Sequence, residues 1–312
     1  MDHAAGNKHL DVMQYLHSRN ESCSALAYPL TAREGRLQEL IWLTCNFPGL
    51  YHNATFTDAA ARGHLRIVTW LHGNSEQHLG YRVKTTTAAM DWAAAGGHLE
   101  IVTWLHENRS EGCGSDALDM AAANGYLYVV QWLHENRVEG CTVPAIDDAA
   151  TNRHLDVVRW LHNNRQEGAT TDAMDGAAAG GHREVVFWLR NKRNEGYTSA
   201  AVDGAIAIGD MELLRWFYAN HIGCTAIGFD RAIEARNIEM IPFLSRTGTE
   251  GCTVNGYVSA VRNGHLHIAR WILVRQPHWY DEKDFDRVKL KYGWTSVIIL
   301  AAIPWYSLVD ES

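Results

Sequence analysis

The string Trp104-Leu-His-Glu-Asn-Arg109 is the first place to look for chemistry. His-Glu opens the zinc-helix signature His-Glu-x-x-His, in which two imidazoles on one helix face hold an ion and the glutamate serves as base. The string recurs unchanged at 132–137, 28 residues later. In both copies the second histidine is missing, because Ser110 and Val138 stand in its place. His72, His106, His134 and His162 instead form a column, one per copy. Equivalent side chains on packed helices point in parallel, about 8–10 Å apart, whereas metal ligands converge to about 2 Å from one ion. A structural or surface role is expected for this column. A second column, His9, His64, His98, His154, His182 and His265, sits at a turn and is expected to cap the following helix or to bridge turns.

The cysteines follow the same logic. Cys113, Cys141 and Cys252 share one loop position, and Cys23 and Cys224 are displaced from it by one. Successive copies lie too far apart for a disulfide, which needs Cα atoms within about 7 Å. Buried, reduced thiols are expected, with Cys45 unpaired at a helix end. No nucleophile–base pair, glycine-rich phosphate loop or metal spacing stands outside the repeating pattern. The chain is expected to be no enzyme and to use no cofactor or metal.

Composition narrows the partners. The 312 residues carry a formal net charge of −8, and no basic cluster exceeds short pieces such as Lys289-Leu-Lys291. Nucleic acid is excluded as a partner, because phosphate binding needs a concentrated Lys/Arg surface. The longest apolar run, 297–303, is far short of the ~20 residues a membrane helix needs. The first residues lack the apolar core of a signal peptide. The expectation is a soluble intracellular, cytoplasmic protein.

These residues are positioned by a repeat. Aligned on the leucine of Gly-His-Leu, the chain registers at Leu10, Leu37, Leu65, Leu99, Leu127, Leu155, Arg183, Met211, Ile238 and Leu266. The steps are 27, 28, 34, 28, 28, 28, 28, 27 and 28, which makes ten copies of one unit. Each copy opens like Ala89-Met-Asp-Trp-Ala-Ala-Ala-Gly-Gly97, a helix-favouring stretch, with Thr, Ser, Asp or Pro upstream to supply a cap or first-turn residue. Paired alanines such as Ala93 and Ala94 let a neighbouring helix approach closely. Glycine then stops the helix at seven turns. Lys8, Arg153 and Arg236 replace it elsewhere, where the turn is expected to be strained. The second half reads His98-Leu-Glu-Ile-Val-Thr-Trp-Leu, apolar too broadly for a one-sided stripe, as in a helix buried between repeats. The column of Trp42, Trp70, Trp104, Trp132, Trp160, Trp188, Trp216 and Trp271 is expected to pack in the core.

The unit is therefore helix, tight turn, helix, short loop. One such hairpin cannot bury its own apolar face, but ten stacked in a row can. The expected fold is all-α: a curved α-solenoid over 1–275, followed by a C-terminal capping segment over 276–312.

At these residues the chain resembles the ankyrin repeat family. The family pattern T-P-L-H-x-A-A…G-H-L-x-I-V-x-x-L-L is matched by Ala89-Met-Asp-Trp-Ala-Ala and Gly97-His-Leu-Glu-Ile-Val-Thr-Trp-Leu, again at 173–189, and more weakly throughout 1–275. The Trp-Leu-His…Glu-Gly-Cys-Thr variant is similar to divergent arrays common in oomycete proteins. Two departures stand out. The period is about 28 rather than about 33, which removes the hairpin finger from most units; only 73–87 has room for one. The family's first-helix histidine is replaced by aspartate at positions 2, 91, 119, 147, 175, 203 and 230. An aspartate in the first turn is favoured by the helix dipole, and the column also forms an acidic stripe.

The resemblance implies a non-enzymatic scaffold that binds a protein partner through its first-helix, concave face. Structural positions repeat, whereas positions that drift between copies are free to meet a ligand. Two columns drift. One contains Asp58, Trp92, Met120 and Asp148, and the other Arg62, Asn124 and Asn152. Trp92 and Met120 are the expected apolar anchors. The alternative is a structural protein whose uncapped first repeat stacks head-to-tail on another copy, as a homo-oligomer or filament.

Overall fold

The structure is a computed structural model that describes residues 1–80, 83–235, 237, 239–247, 251–265, 268, 269 and 272. Among them, regular structure is helical throughout, with no strand. The chain divides into two compact units, Met1–Thr170 and Thr171–Ser312. The first unit is a run of six helical hairpins: α1 (Asp2–Gly6) with α2 (Leu10–Ser18), α3 (Ala27–Arg33) with α4 (Leu37–Asn46), α5 (Ala54–Ala61) with α6 (Leu65–Leu79), α7 (Ala88–Ala95) with α8 (Leu99–Asn108), α9 (Asp116–Ala123) with α10 (Leu127–Asn136), and α11 (Pro144–Thr151) with α12 (Leu155–Asn164). The second unit continues the pattern with α13 (Asp172–Ala179), α14 (Arg183–Lys192), α15 (Ser199–Ala207), α16 (Met211–Ala219), α17 (Ala226–Glu234), α18 (Met240–Thr247) and α19 (Val254–Arg262). This is an α-solenoid of helical repeats.

Within each unit the first helices stack in sequence: α1 on α3, α3 on α5 and onward to α11, and α13 on α15, α17 and α19. Small side chains make this possible. Ala59, Ala60, Ala93, Ala94, Ala121, Ala122, Ala149 and Ala150 are fully buried. At Gly204 the approach is closer still, since a Cβ there would lie 2.7 Å from the Cα of Ala179. The second helices bury one face, as with Ile101, Val102 and Leu105 of α8. Their tryptophans are only half-buried. The tryptophan column is thus not core: valine, isoleucine and leucine fill the inner face, and the indoles lie beside it.

The inter-helix turn needs one left-handed residue. Gly125 supplies it at φ 78°, whereas Lys8 (63°) and Arg153 (69°) hold the same conformation with a Cβ, as the turn pattern requires. Among the described residues of the 34-residue step there is no finger strand. The added residues extend α6 to fifteen residues, against ten in α8, and Gly80 ends it in the left-handed region. Ser75 of this extension is buried and its Oγ accepts the Val83 amide at 3.1 Å. Arg236, Ile238, Leu266, Trp271 and the capping segment 276–312 lie outside the described residues.

Replacing Arg153 with glycine removes the left-handed penalty and returns part of it as unfolded-chain entropy. Arg153→Gly is expected to raise stability by about 0.5–1 kcal/mol in urea melts.

Candidate interaction surface

The aspartate column joins repeats. Asp119, Asp147, Asp175, Asp203 and Asp230 each accept two hydrogen bonds from a threonine in the next repeat. Thr142, Thr170, Thr198, Thr225 and Thr253 donate their amides at 2.8–2.9 Å and their hydroxyls at 2.5–2.7 Å. Ser24 binds Asp2 in the same way, and Gly114 gives Asp91 its amide alone. The helix dipole accounts for a first-turn acid but not for this second partner. Burial pushes the Asp91, Asp119 and Asp230 carboxyls above their ordinary range, against the hydrogen bonds that hold them down. These aspartates are therefore not an open acidic stripe. The sequence did carry the signal: a threonine follows each of Asp119, Asp147 and Asp175 at a spacing of 23, while residue 52, at the same distance from Pro29, is histidine.

A second set of bonds closes the ends of several first helices. His64 Nε2 lies 2.9 Å from the Arg33 carbonyl, and His98 Nε2 lies 3.2 Å from that of Ala61. Where the turn carries asparagine, the amide takes over. Asn124 donates to the Ala95 carbonyl at 3.0 Å and Asn152 to that of Ala123 at 2.8 Å. His64 and His98 thus bridge turns, and none of His64, His98 and His154 caps its helix by side chain. The drift at Asn124 and Asn152 is partly a second solution to the same packing problem. In the second unit Asn237 keeps the pattern, donating to the Ile206 carbonyl at 3.2 Å, but at one joint the pattern inverts. Arg183, in place of the leucine, donates to both carboxylate oxygens of Asp210, in place of the next histidine, at 2.5 and 2.8 Å. Two departures from the pattern in adjacent copies form one contact.

The second helices carry a ladder on their other side. The Trp104 ring meets His72 edge-on at 5.1 Å, Trp132 meets His106 at 5.3 Å, and Trp160 meets His134 at 5.1 Å. Arg109, Arg137 and Arg165 donate to Nδ1 of the same three histidines at 3.2–3.3 Å. Each arginine also pairs with the glutamate two residues on: Glu111, Glu139 and Glu167. Guanidinium groups only donate, so Nδ1 accepts and each imidazole carries its proton on Nε2. The repeated Trp-Leu-His-Glu-Asn-Arg string therefore encodes contacts to both neighbouring repeats. Among the described residues, no three His, Cys, Asp or Glu side chains gather as a metal site. Cys23, Cys113, Cys224 and Cys252 are buried thiols, Cys141 is half-buried and Cys45 is exposed. Burial pushes Cys113 and Cys141 up to about 11 and Cys252 to about 12, so these thiols stay protonated and weakly nucleophilic.

The first helices also present one face away from the repeat joints, with the bonded Asn124 and Asn152 at its edge. Trp92 is 51% exposed. Met120 and Asp58 are half-buried, whereas Arg62, Asn124, Asp148 and Asn152 are exposed. They stand on the consecutive helices α5, α7, α9 and α11 and at their C-terminal turns. Arg62, Gly96, Asn124 and Asn152 follow Asp58, Trp92, Met120 and Asp148 by four residues each, so the two drifting columns share a face. Burial raises the Asp58 carboxyl, while Arg33, His52 and Arg62 oppose the shift. No described helix is long and apolar enough to cross a membrane.

Comparison with known families agrees with this geometry. Residues 56–147 match the family model described as ankyrin repeats (3 copies), and residues 146–190 match that described as ankyrin repeats (many copies). No curated protein matches the chain.

Two measurements test the bonds between repeats. Asp119→Ala is expected to cost about 2–3 kcal/mol, and a double-mutant cycle with Thr142→Val to give a coupling of about 1 kcal/mol or more. The Arg165 hydrogen bond holds the Glu167 carboxyl at about 2, well below its ordinary 4.5. The stability difference between the wild type and Glu167→Gln should be complete above pH 4.5 and vanish as pH falls to about 2, as read from melts across that range.

Proposed function

As an ankyrin-repeat protein, this chain belongs to a class of generally non-enzymatic protein–protein interaction scaffolds, and we propose that it binds its partner through the first-helix face of α5, α7, α9 and α11. Trp92 and Met120 serve as apolar anchors. Asp58, Arg62 and Asp148 provide the charged rim, and Asn124 and Asn152 offer amide oxygens at its edge. One observation carries this reading. The repeating polar and aromatic columns are consumed in joining repeats, whereas the Trp92 indole is half-exposed and makes no hydrogen bond or ring contact with the described residues. An exposed indole without an internal partner is the kind of group that carries binding energy at interfaces. A scaffold of this sort recognises by shape and surface chemistry, with no reaction step.

A random peptide library displayed on phage, selected on the full chain, provides the test. Enriched peptides should bind the wild type and lose binding to Trp92→Ala/Met120→Ala, while that variant still unfolds in one cooperative transition, shifted by no more than about 1 kcal/mol for the half-buried Met120. Peptides that bind both proteins equally would place the binding surface elsewhere.

A further inference from the structure

The chemistry around Trp92 also constrains what lies on it, and this step rests on the reading above. The helix α7 flanks the indole with small residues, Ala88 four positions before it and Gly96 four positions after. Side chains at those spacings share the Trp92 face, so its own helix places no large side chain over the exposed half of the residue. On the next helix Asp116 lies four residues before Met120 and shares its face. Asp148 lies one helix further, at the Trp92 position of α11.

Asp116 and Asp148 differ from the aspartates that join repeats. Both are exposed, and neither accepts a hydrogen bond or pairs with a cation among the described residues. Their charges add to those of the buried Asp91 and the half-buried Asp119 beside them: Asp116 acts on both, Asp148 acts on Asp119, and each raises the neighbouring carboxyl's pKa. The face thus combines a half-exposed aromatic ring, a half-buried thioether and two unpaired carboxylates. The nearest exposed cation on the drifting columns, Arg62, lies on the far side of Trp92 from both. A cationic side chain is attracted to the face of an indole and to free carboxylates, whereas an anionic segment would meet like charge.

We propose that the face of α7, α9 and α11 receives a basic, extended segment of a partner protein, with one Lys or Arg laid on the Trp92 ring and another paired with Asp116 or Asp148. Successive helices at about 8–10 Å place Trp92 and Asp148 about 16–20 Å apart. At about 3.3 Å per residue this corresponds to two cations about five or six residues apart, with an apolar residue between them over Met120.

The peptides enriched on the wild type and dependent on Trp92 and Met120 decide the question by their composition. Excess Lys and Arg at that spacing is expected. Synthetic copies should lose about tenfold in affinity on Asp116→Asn/Asp148→Asn and on Trp92→Leu, which keeps apolar area but lacks the ring, and less on Trp92→Phe. Their affinity should also fall as NaCl rises from about 0.05 M to about 0.5 M. Face-dependent peptides that are neutral or acidic, or basic ones indifferent to the double variant, would overturn this inference and leave the binding surface in place. A library that yields nothing dependent on Trp92 and Met120 would overturn both. Unchanged melting curves for the exposed substitutions ensure that a loss of binding reports the surface rather than the fold.

Discussion

Everything in this chain follows from one constraint: a helical hairpin of about 28 residues cannot bury its apolar face alone. Each copy must lend surface to its neighbours, and the first helices do so at alanine-on-alanine distance. Close contact between apolar surfaces holds helices together without fixing their register. Register comes from directed bonds. The aspartate of one copy grips the amide and hydroxyl of the next, and a histidine or asparagine closes the carbonyl end of the helix before it. Burying a carboxylate is costly unless its lone pairs are filled, so a mis-registered neighbour would leave a charged oxygen without donors. The energetic penalty falls on the wrong arrangement more than the reward falls on the right one.

The fold was legible in the sequence because the period was. A step of 28 residues, a glycine at the turn and a Val-Val or Ile-Val pair in the second helix leave no room for a strand or a globular core. The left-handed turns at Lys8 and Arg153 were legible for the same reason. Three features were not. The tryptophans look like core on hydropathy, but Trp104, Trp132 and Trp160 meet the histidines of the preceding repeat edge to face, and hydropathy does not register a ring-to-ring contact. The six additional residues of the third copy looked like space for a finger. Helix continuation satisfies their backbone groups internally, and the buried Ser75 closes the exit. The aspartates had a sufficient local explanation in the helix dipole, which hid their long-range one.

The candidate surface was legible in part. Choosing positions that drift between copies finds Trp92, whose exposure no internal contact explains. The same criterion also selects Asn124 and Asn152, which are variable because two residue types at different offsets can satisfy one carbonyl. Drift therefore mixes freedom with substitution by an equivalent. The two are separated only by asking whether a changed residue has a changed neighbour, as Arg183 and Asp210 do.

The spacing of the aspartate contacts has a further consequence. Acceptor and donor lie 23 residues apart, within one period, so every standard copy carries a socket for its successor and a plug for its predecessor. Copies of this kind are interchangeable bricks: duplicating or deleting a whole one restores the same joint on both sides. Arrays built this way can change length by recombination between near-identical units without passing through a misfolded intermediate. The Arg183–Asp210 pair is the exception, a keyed joint. The copy containing Arg183 fits best before the copy containing Asp210, so that pair travels together while its neighbours remain free to multiply.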